Sequence, residues 1–298
     1  MFSFLDAGPG IVPAMTALYA LLAATSLSVK LAARGAAPGM LSHQVNAWWR
    51  IFPVVSLALL TYPTGLHVLA YLICLLAVLE LEPYHPGGRN RFRVGAALVV
   101  LATAVAGRWT PALPLLLLCG AIAALWMRCR QHAPAASAVT WSSILATAAA
   151  MQLLVAYASL PFGTGTNLAW LFYLFILTAL NDIGQFAAGK LFGRHKIAPT
   201  VSPNKTWQGL GGGIVMSQIV SLGLGTYLSL AGPATLASWG LLLSLAGFGG
   251  DLLFSAAKRH LAIKDFSQLI PGHGGILDRV DSLVLTAPLL YCLLRTID

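Results

Sequence analysis

Apolar residues run along this chain in ten blocks, each closed by a charged, Pro- or Gly-bearing stretch: Ile11–Leu31, Ile51–Tyr62, Leu66–Leu81, Val94–Ala106, Pro111–Met127, Ala136–Leu160, Asn167–Phe192, Trp207–Ala231, Ala234–Ala257 and Ser282–Leu294. Most are long enough to read as membrane helices, since a full span takes about 20 residues. The second and fourth are short for that length and are expected to be tilted, re-entrant or longer than drawn. Pro63-Thr64-Gly65 breaks the second from the third. The pattern predicts an all-α polytopic membrane protein with nine to ten transmembrane helices.

Composition agrees with the pattern. The chain of 298 residues is 58% hydrophobic and 9% charged, where ordinary soluble domains are about 25% charged. No polar segment is long enough for a second, soluble domain. We therefore expect one membrane domain over residues 1–298, with helices of unassigned role in 1–135 and the chemistry in 136–298. The four cysteines are scattered among apolar residues without a CxxC pair, as buried thiols would be. The first apolar run is long and lacks a basic flank before it, unlike a cleavable signal peptide.

The formal charge of +9 comes from residues in short loops, which argues for topology and anionic substrates and against nucleic acid. With ten crossings and the N-terminus outside, 16 of the 18 basic residues face inward, and Arg108 and Arg295 face outward. That bias predicts a cytoplasmic active face in a bacterial inner membrane.

Candidate chemistry concentrates in Gly249–Ser282, which holds Asp251, Asp265, Asp278 and Asp281, four of the nine acidic residues. Asp251, Ser255 and Lys258 or Arg259 recur at helical spacing, and Asp278 and Asp281 are one turn apart. Between them, Pro271-Gly272-His273-Gly274-Gly275 cannot form regular helix and can offer backbone N–H groups to an anion. Carboxylates for a divalent cation, cations for phosphate and a Gly-rich turn suit metal-dependent phosphoryl or nucleotidyl transfer. Charge alone would also fit a solvated loop between helices.

A second group runs from Asn181 to Gly209. Asp182 lies well inside an apolar segment, where a carboxylate is costly and is a functional candidate. Gly193-Arg194-His195-Lys196 and Ser202-Pro203-Asn204-Lys205-Thr206 form a basic loop that can hold phosphates or lipid headgroups. The glycines Gly209, Gly211, Gly212 and Gly213 are expected to serve close helix packing, because no Gly-Lys-Ser/Thr follows. Glu80 and Glu82, at the end of the third segment, read first as solvated or satisfied carboxylates at a helix end, with contact to the inner headgroup layer or a part in shaping the site as the alternatives.

The ordered set Ser255, Lys258-Arg259, Lys264-Asp265, Pro271–Gly275, Asp278-Arg279 and Asp281 closely resembles the C-terminal signature of the phosphatidate cytidylyltransferases (CDP-diacylglycerol synthases). Asp182, Gly193-Arg194 and Ser202–Gly209 extend the likeness over about a third of the chain. The resemblance implies transfer of CMP from CTP to phosphatidic acid, with release of pyrophosphate, beside the lipid bilayer. It implies Mg²⁺, leaves room for a second cation, and is compatible with a homodimer. Asp251, Asp278 and Asp281 would ligate the metal. Asp278, Asp281, Asp251, Lys264 and Arg279 would be catalytic. Ser202, Lys205, Ser255, Lys258, Arg259, His273 and Asp182 would bind substrate. Three departures, Gln208 for Glu, Phe254 for Glu and Gln185-Phe186 for Ala-Tyr, are compatible with a divergent paralogue. A CTP-dependent lipid or polyprenol kinase and a non-enzymatic anionic-lipid transporter are the competing readings.

Overall fold

A computed structural model describes residues 10–32, 40–130, 136–269 and 274–297. Each of the ten apolar blocks is a helix: α1 (Ile11–Ala32), α2 (Met40–Leu60), α3 (Thr64–Leu81), α4 (Arg89–Trp109), α5 (Ala112–Arg130), α6 (Ala136–Ala156), α7 (Thr164–Phe192), α8 (Trp207–Tyr227), α9 (Pro233–His260) and, after the single-turn α10 (Leu277–Val280), α11 (Leu283–Leu294). Seven of them, α1, α3, α4 and α6 to α9, are long and apolar enough to cross a membrane, while α2 and α5 carry shorter apolar stretches. The fourth block proves longer than its apolar core. Arg89, Arg91 and Arg93 form the polar opening turns of a 21-residue helix.

α6 is the centre of the bundle. It packs on α3, α4, α5 and α11, and Ala146, Ala148, Ala149 and Ala150 are fully buried along it. Small residues let helix backbones approach closely where lipid offers no hydrophobic drive to pack them. α7 and α8 meet in the same way. A methyl group at Gly212 would overlap Ala188 of α7, and one at Gly209 would lie 2.9 Å from the Gln185 carbonyl oxygen. Gly209, Gly212 and Gly213 are therefore packing residues, as their sequence context suggests, whereas a methyl group at Gly211 would meet nothing.

The link between α7 and α8 is an antiparallel hairpin, β1 (Lys196–Ala198) with β2 (Ser202–Thr206), in register Lys196↔Thr206 and Ala198↔Ser202. The sequence reading expected a loop here. Thr206 ends the hairpin and caps α8, its Oγ1 accepting from Gly209 N at 3.0 Å. Gln208 Oε1 accepts from the amides of Arg194 and His195 at 3.1 and 3.2 Å, so the Gln that replaces a Glu steadies the hairpin's entry.

The loops sort to two ends. Gly10 lies beside Tyr227 and Leu228 at one end. At the other, Glu82 pairs with Arg93, His85 meets Thr140 at 2.9 Å, and Arg259 donates to the Val201 carbonyl at 3.0 Å. This second end gathers the close of α3, the starts of α4 and α6, the hairpin and the signature loop.

Candidate active site

α9 is uncharged for about its first five turns and then sets Asp251, Ser255 and the pair Lys258-Arg259 on successive turns. Ser255 Oγ donates to Asp251 Oδ1 at 3.1 Å. Asp251 Oδ2 lies 2.6 Å from the Lys205 ammonium, which β2 brings across from the hairpin. Lys205 also donates to Gln185 Oε1 of α7 at 3.3 Å and sits 4.4 Å from the centre of the Phe248 ring. One ammonium thus joins the hairpin, α7 and α9, and it is only 13% exposed against 31% for its carboxylate partner.

Asp281 reaches the same place from the turn between α10 and α11. Gly250 makes this possible: a side chain there would run into the Asp281 backbone, with Ser282 Cα 3.2 Å from an added methyl. Helix and turn touch backbone to backbone, so Asp281 comes near Asp251. Burial first, and then the charge of Asp251, hold the Asp281 carboxyl well above the usual carboxylate range, with Lys258 pulling the other way. Ser282 Oγ donates to Asp182 Oδ1 of α7 at 3.2 Å. Asp182, Asp251 and Asp281 therefore converge from three elements, and the exposed Arg279 acts electrostatically on Asp182 and Asp281.

Asp278 is placed differently from the sequence expectation. The resemblance implies that it ligates a cation together with Asp251 and Asp281. Instead Lys258 Nζ lies 2.6 Å from its Oδ1, while Oδ2 accepts from Phe266 N at 3.0 Å and Gly275 N at 2.9 Å. Lys258, expected to hold substrate, is correspondingly engaged with Asp278. Among the described residues no three His, Cys, Asp or Glu side chains form a ligand set, so neither Asp251, Asp278 and Asp281 nor Asp182, Asp251 and Asp281 close around one point. The hard carboxylate oxygens of Asp251 and Asp281 still fit Mg²⁺, which is commonly held by one or two carboxylates and completed by substrate phosphates.

The other expected residues divide. Ser202 is half-buried in β2, three residues from Lys205. Lys264 is exposed on the loop beyond α9. Arg259 donates to the carbonyls of Val201 and Ile263 and so fastens hairpin to loop. His273 lies outside the described residues. Phe254 is fully buried against Phe266, their ring centres 6.2 Å apart.

For two residues the partners were not foreseen. Gln185 was noted as a departure, but its contact with Lys205 was not foreseen. Glu80, read as a helix-end carboxylate, is 6% exposed and accepts from Ser267 Oγ at 2.6 Å, Ile276 N at 2.7 Å and Leu277 N at 3.0 Å. The signal available was a carboxylate following directly on a strongly apolar helix.

Comparison with known proteins adds to this geometry. The profile described as "Cytidylyltransferase family" matches residues 42–297. The chain is 46% identical over 123 residues to the uncharacterized protein YnbB of Escherichia coli K12, covering 41% of each chain. It is 43% identical over 129 residues to a phosphatidate cytidylyltransferase of Staphylococcus aureus strain COL, covering 43% of this chain and 50% of that one. A phosphatidate cytidylyltransferase of Staphylococcus saprophyticus is 41% identical over 133 residues, with the same coverage. The chain thus spans half or less of the length of these relatives.

Proposed function

This chain belongs to the cytidylyltransferase family, and from that premise we propose that it transfers CMP from CTP to phosphatidic acid. The products are CDP-diacylglycerol and pyrophosphate. The observation that carries the reading is the convergence of Asp182, Asp251 and Asp281 with the half-sequestered Lys205 at one end of a membrane bundle. A site of this kind serves a reaction whose difficulty is the meeting of two anions.

An oxygen of the lipid phosphate attacks the α-phosphorus of CTP, and the bond to pyrophosphate breaks. Positioning and charge neutralisation dominate such a step. Lys205, oriented by Asp251 and Gln185, presents a fixed positive charge to a phosphate oxygen. Arg279 and Lys264, both exposed, are the clamps for the triphosphate and the lipid headgroup. Asp251 and Asp281 would hold Mg²⁺, which when bound neutralises phosphate charge. Asp278 keeps the signature loop in place through Lys258 and two amides. The basic residues at this end of the bundle support a cytoplasmic active face, where nucleoside triphosphates are found, with the N-terminus outside.

The test is turnover of radiolabelled CTP with phosphatidic acid and Mg²⁺, resolved by thin-layer chromatography. Lipid-linked CMP is expected. CDP release with a phosphorylated lipid would make the protein a kinase, and no turnover with bound anionic lipid would favour a transporter.

A further inference from the structure

α3 lies outside the part of the chain that carries the signature, yet it ends inside the site. Glu80 there accepts from the amides of Ile276 and Leu277, the N-cap and first residue of α10. The opening amides of a helix have no partner within it. Ile276 supplies no side-chain cap, so the carboxylate of a distant helix does what a capping side chain usually does. The same carboxylate takes the Ser267 hydroxyl, at the other limb of the loop.

Two further observations fit this arrangement. A methyl group on Gly275 would overlap the Glu80 carboxylate, so glycine is needed there because Glu80 fills the space. Asp278 independently ties the same two limbs through Phe266 N and Gly275 N. The loop is thus held at its base by two buried carboxylates, one of its own and one from α3.

We propose that Glu80 is a positioning residue of the active site. By fixing Ser267, Ile276 and Leu277 it sets the rotation of α10. That rotation places Asp278 against Lys258 and brings Arg279 and Asp281 towards Asp182 and Asp251. The N-terminal helices are then part of the catalytic apparatus through this one side chain. The catalytic half of the statement rests on the cytidylyl-transfer reading. The clamp itself does not.

The experiment uses the full-length protein in detergent or nanodiscs and reads two quantities: amide hydrogen exchange over residues 266–277, and kcat and KM for CTP. In Glu80→Ala, exchange should rise in that peptide and stay unchanged in α7 and α8. Misplacement of the reacting groups should lower kcat about 100-fold, and KM for CTP should rise with it, because Arg279, assigned to the triphosphate, turns with α10. Gly275→Ala should give the same defect by pushing the carboxylate away. Adding Glu80→Asp, whose side chain is one methylene shorter, should restore part of the activity lost in Gly275→Ala. Unchanged exchange in Glu80→Ala, or losses that simply add in the double variant, would overturn the proposal. If the wild-type protein forms no lipid-linked CMP, the transfer reading falls, and the exchange measurement still decides whether Glu80 holds the loop.

Discussion

Lys258 Nζ lies 2.6 Å from Asp278 Oδ1, with the two side chains 11% and 4% exposed. The pair bridges α9 and α10. Removing one member leaves the other charged and buried without its ion-pair partner. We predict that Lys258→Ala costs about 3–5 kcal/mol of stability, and that Asp278→Asn costs less because Asn can still accept an amide. A double-mutant cycle by thermal unfolding in detergent should show strong coupling between the two positions. A Lys258→Ala protein as stable as wild type would remove the pair from any account of the loop.

Gly274 carries φ +77°, and a methyl group there would lie 2.7 Å from Asp278 Oδ2. Both the backbone and the space disfavour a side chain. Gly274→Ala should therefore lose about 1–3 kcal/mol and reduce activity by displacing Asp278. The control is Gly232→Ala at the start of α9, where an added methyl meets nothing and φ is −66°. Equal melting temperatures for the two variants would show that the loop accommodates a side chain at Gly274.

How much of this could be read in advance depended on distance along the chain. All ten helices were legible, because apolar blocks of this length have few alternatives in a membrane protein. The α9 ridge was legible too: Asp251, Ser255 and Lys258 are related by helical period alone. Asp278 with Lys258 was not, because helical spacing shows Asp281 three residues away and says nothing of an ammonium twenty residues back. The partners of Glu80 were hidden for the same reason, Ile276 lying 196 residues further on. The hairpin was missed because its strands are three and five residues long and one contains a proline, a pattern that reads as loop.

Orientation rests on charge. Lys264 is exposed and lies near the signature loop at the end of the bundle opposite Gly10. In a variant whose other cysteines are replaced, Lys264→Cys should react with a membrane-impermeant maleimide in inverted vesicles and stay unlabelled in intact cells. Labelling from outside intact cells would reverse the orientation and put the site away from its nucleotide.

The final prediction concerns Asp281, where stability and function should part. Its carboxylate is 6% exposed and takes the Ser282 amide at 2.8 Å. Asp251 and Asp182 both raise the cost of ionising it. Without a cation, three carboxylates converge, and the buried ammoniums beside them are already engaged, Lys205 with Asp251 and Lys258 with Asp278. Asn at position 281 keeps the shape and the acceptor oxygen while removing one of the repelling charges. Metal-free Asp281→Asn should therefore melt at or above the wild-type temperature. Mg²⁺ should raise the melting temperature of the wild type, where it relieves the repulsion, and should raise that of Asp281→Asn much less. Activity should move the opposite way, falling about 100-fold or more, since the lost charge is one that would hold the cation against the reacting phosphates. Asp278→Asn provides the contrast: it should lose stability through Lys258 yet keep its response to Mg²⁺. A metal-free Asp281→Asn protein less stable than wild type, with an undiminished Mg²⁺ response, would show that Asp281 is a structural carboxylate and that the cation binds elsewhere.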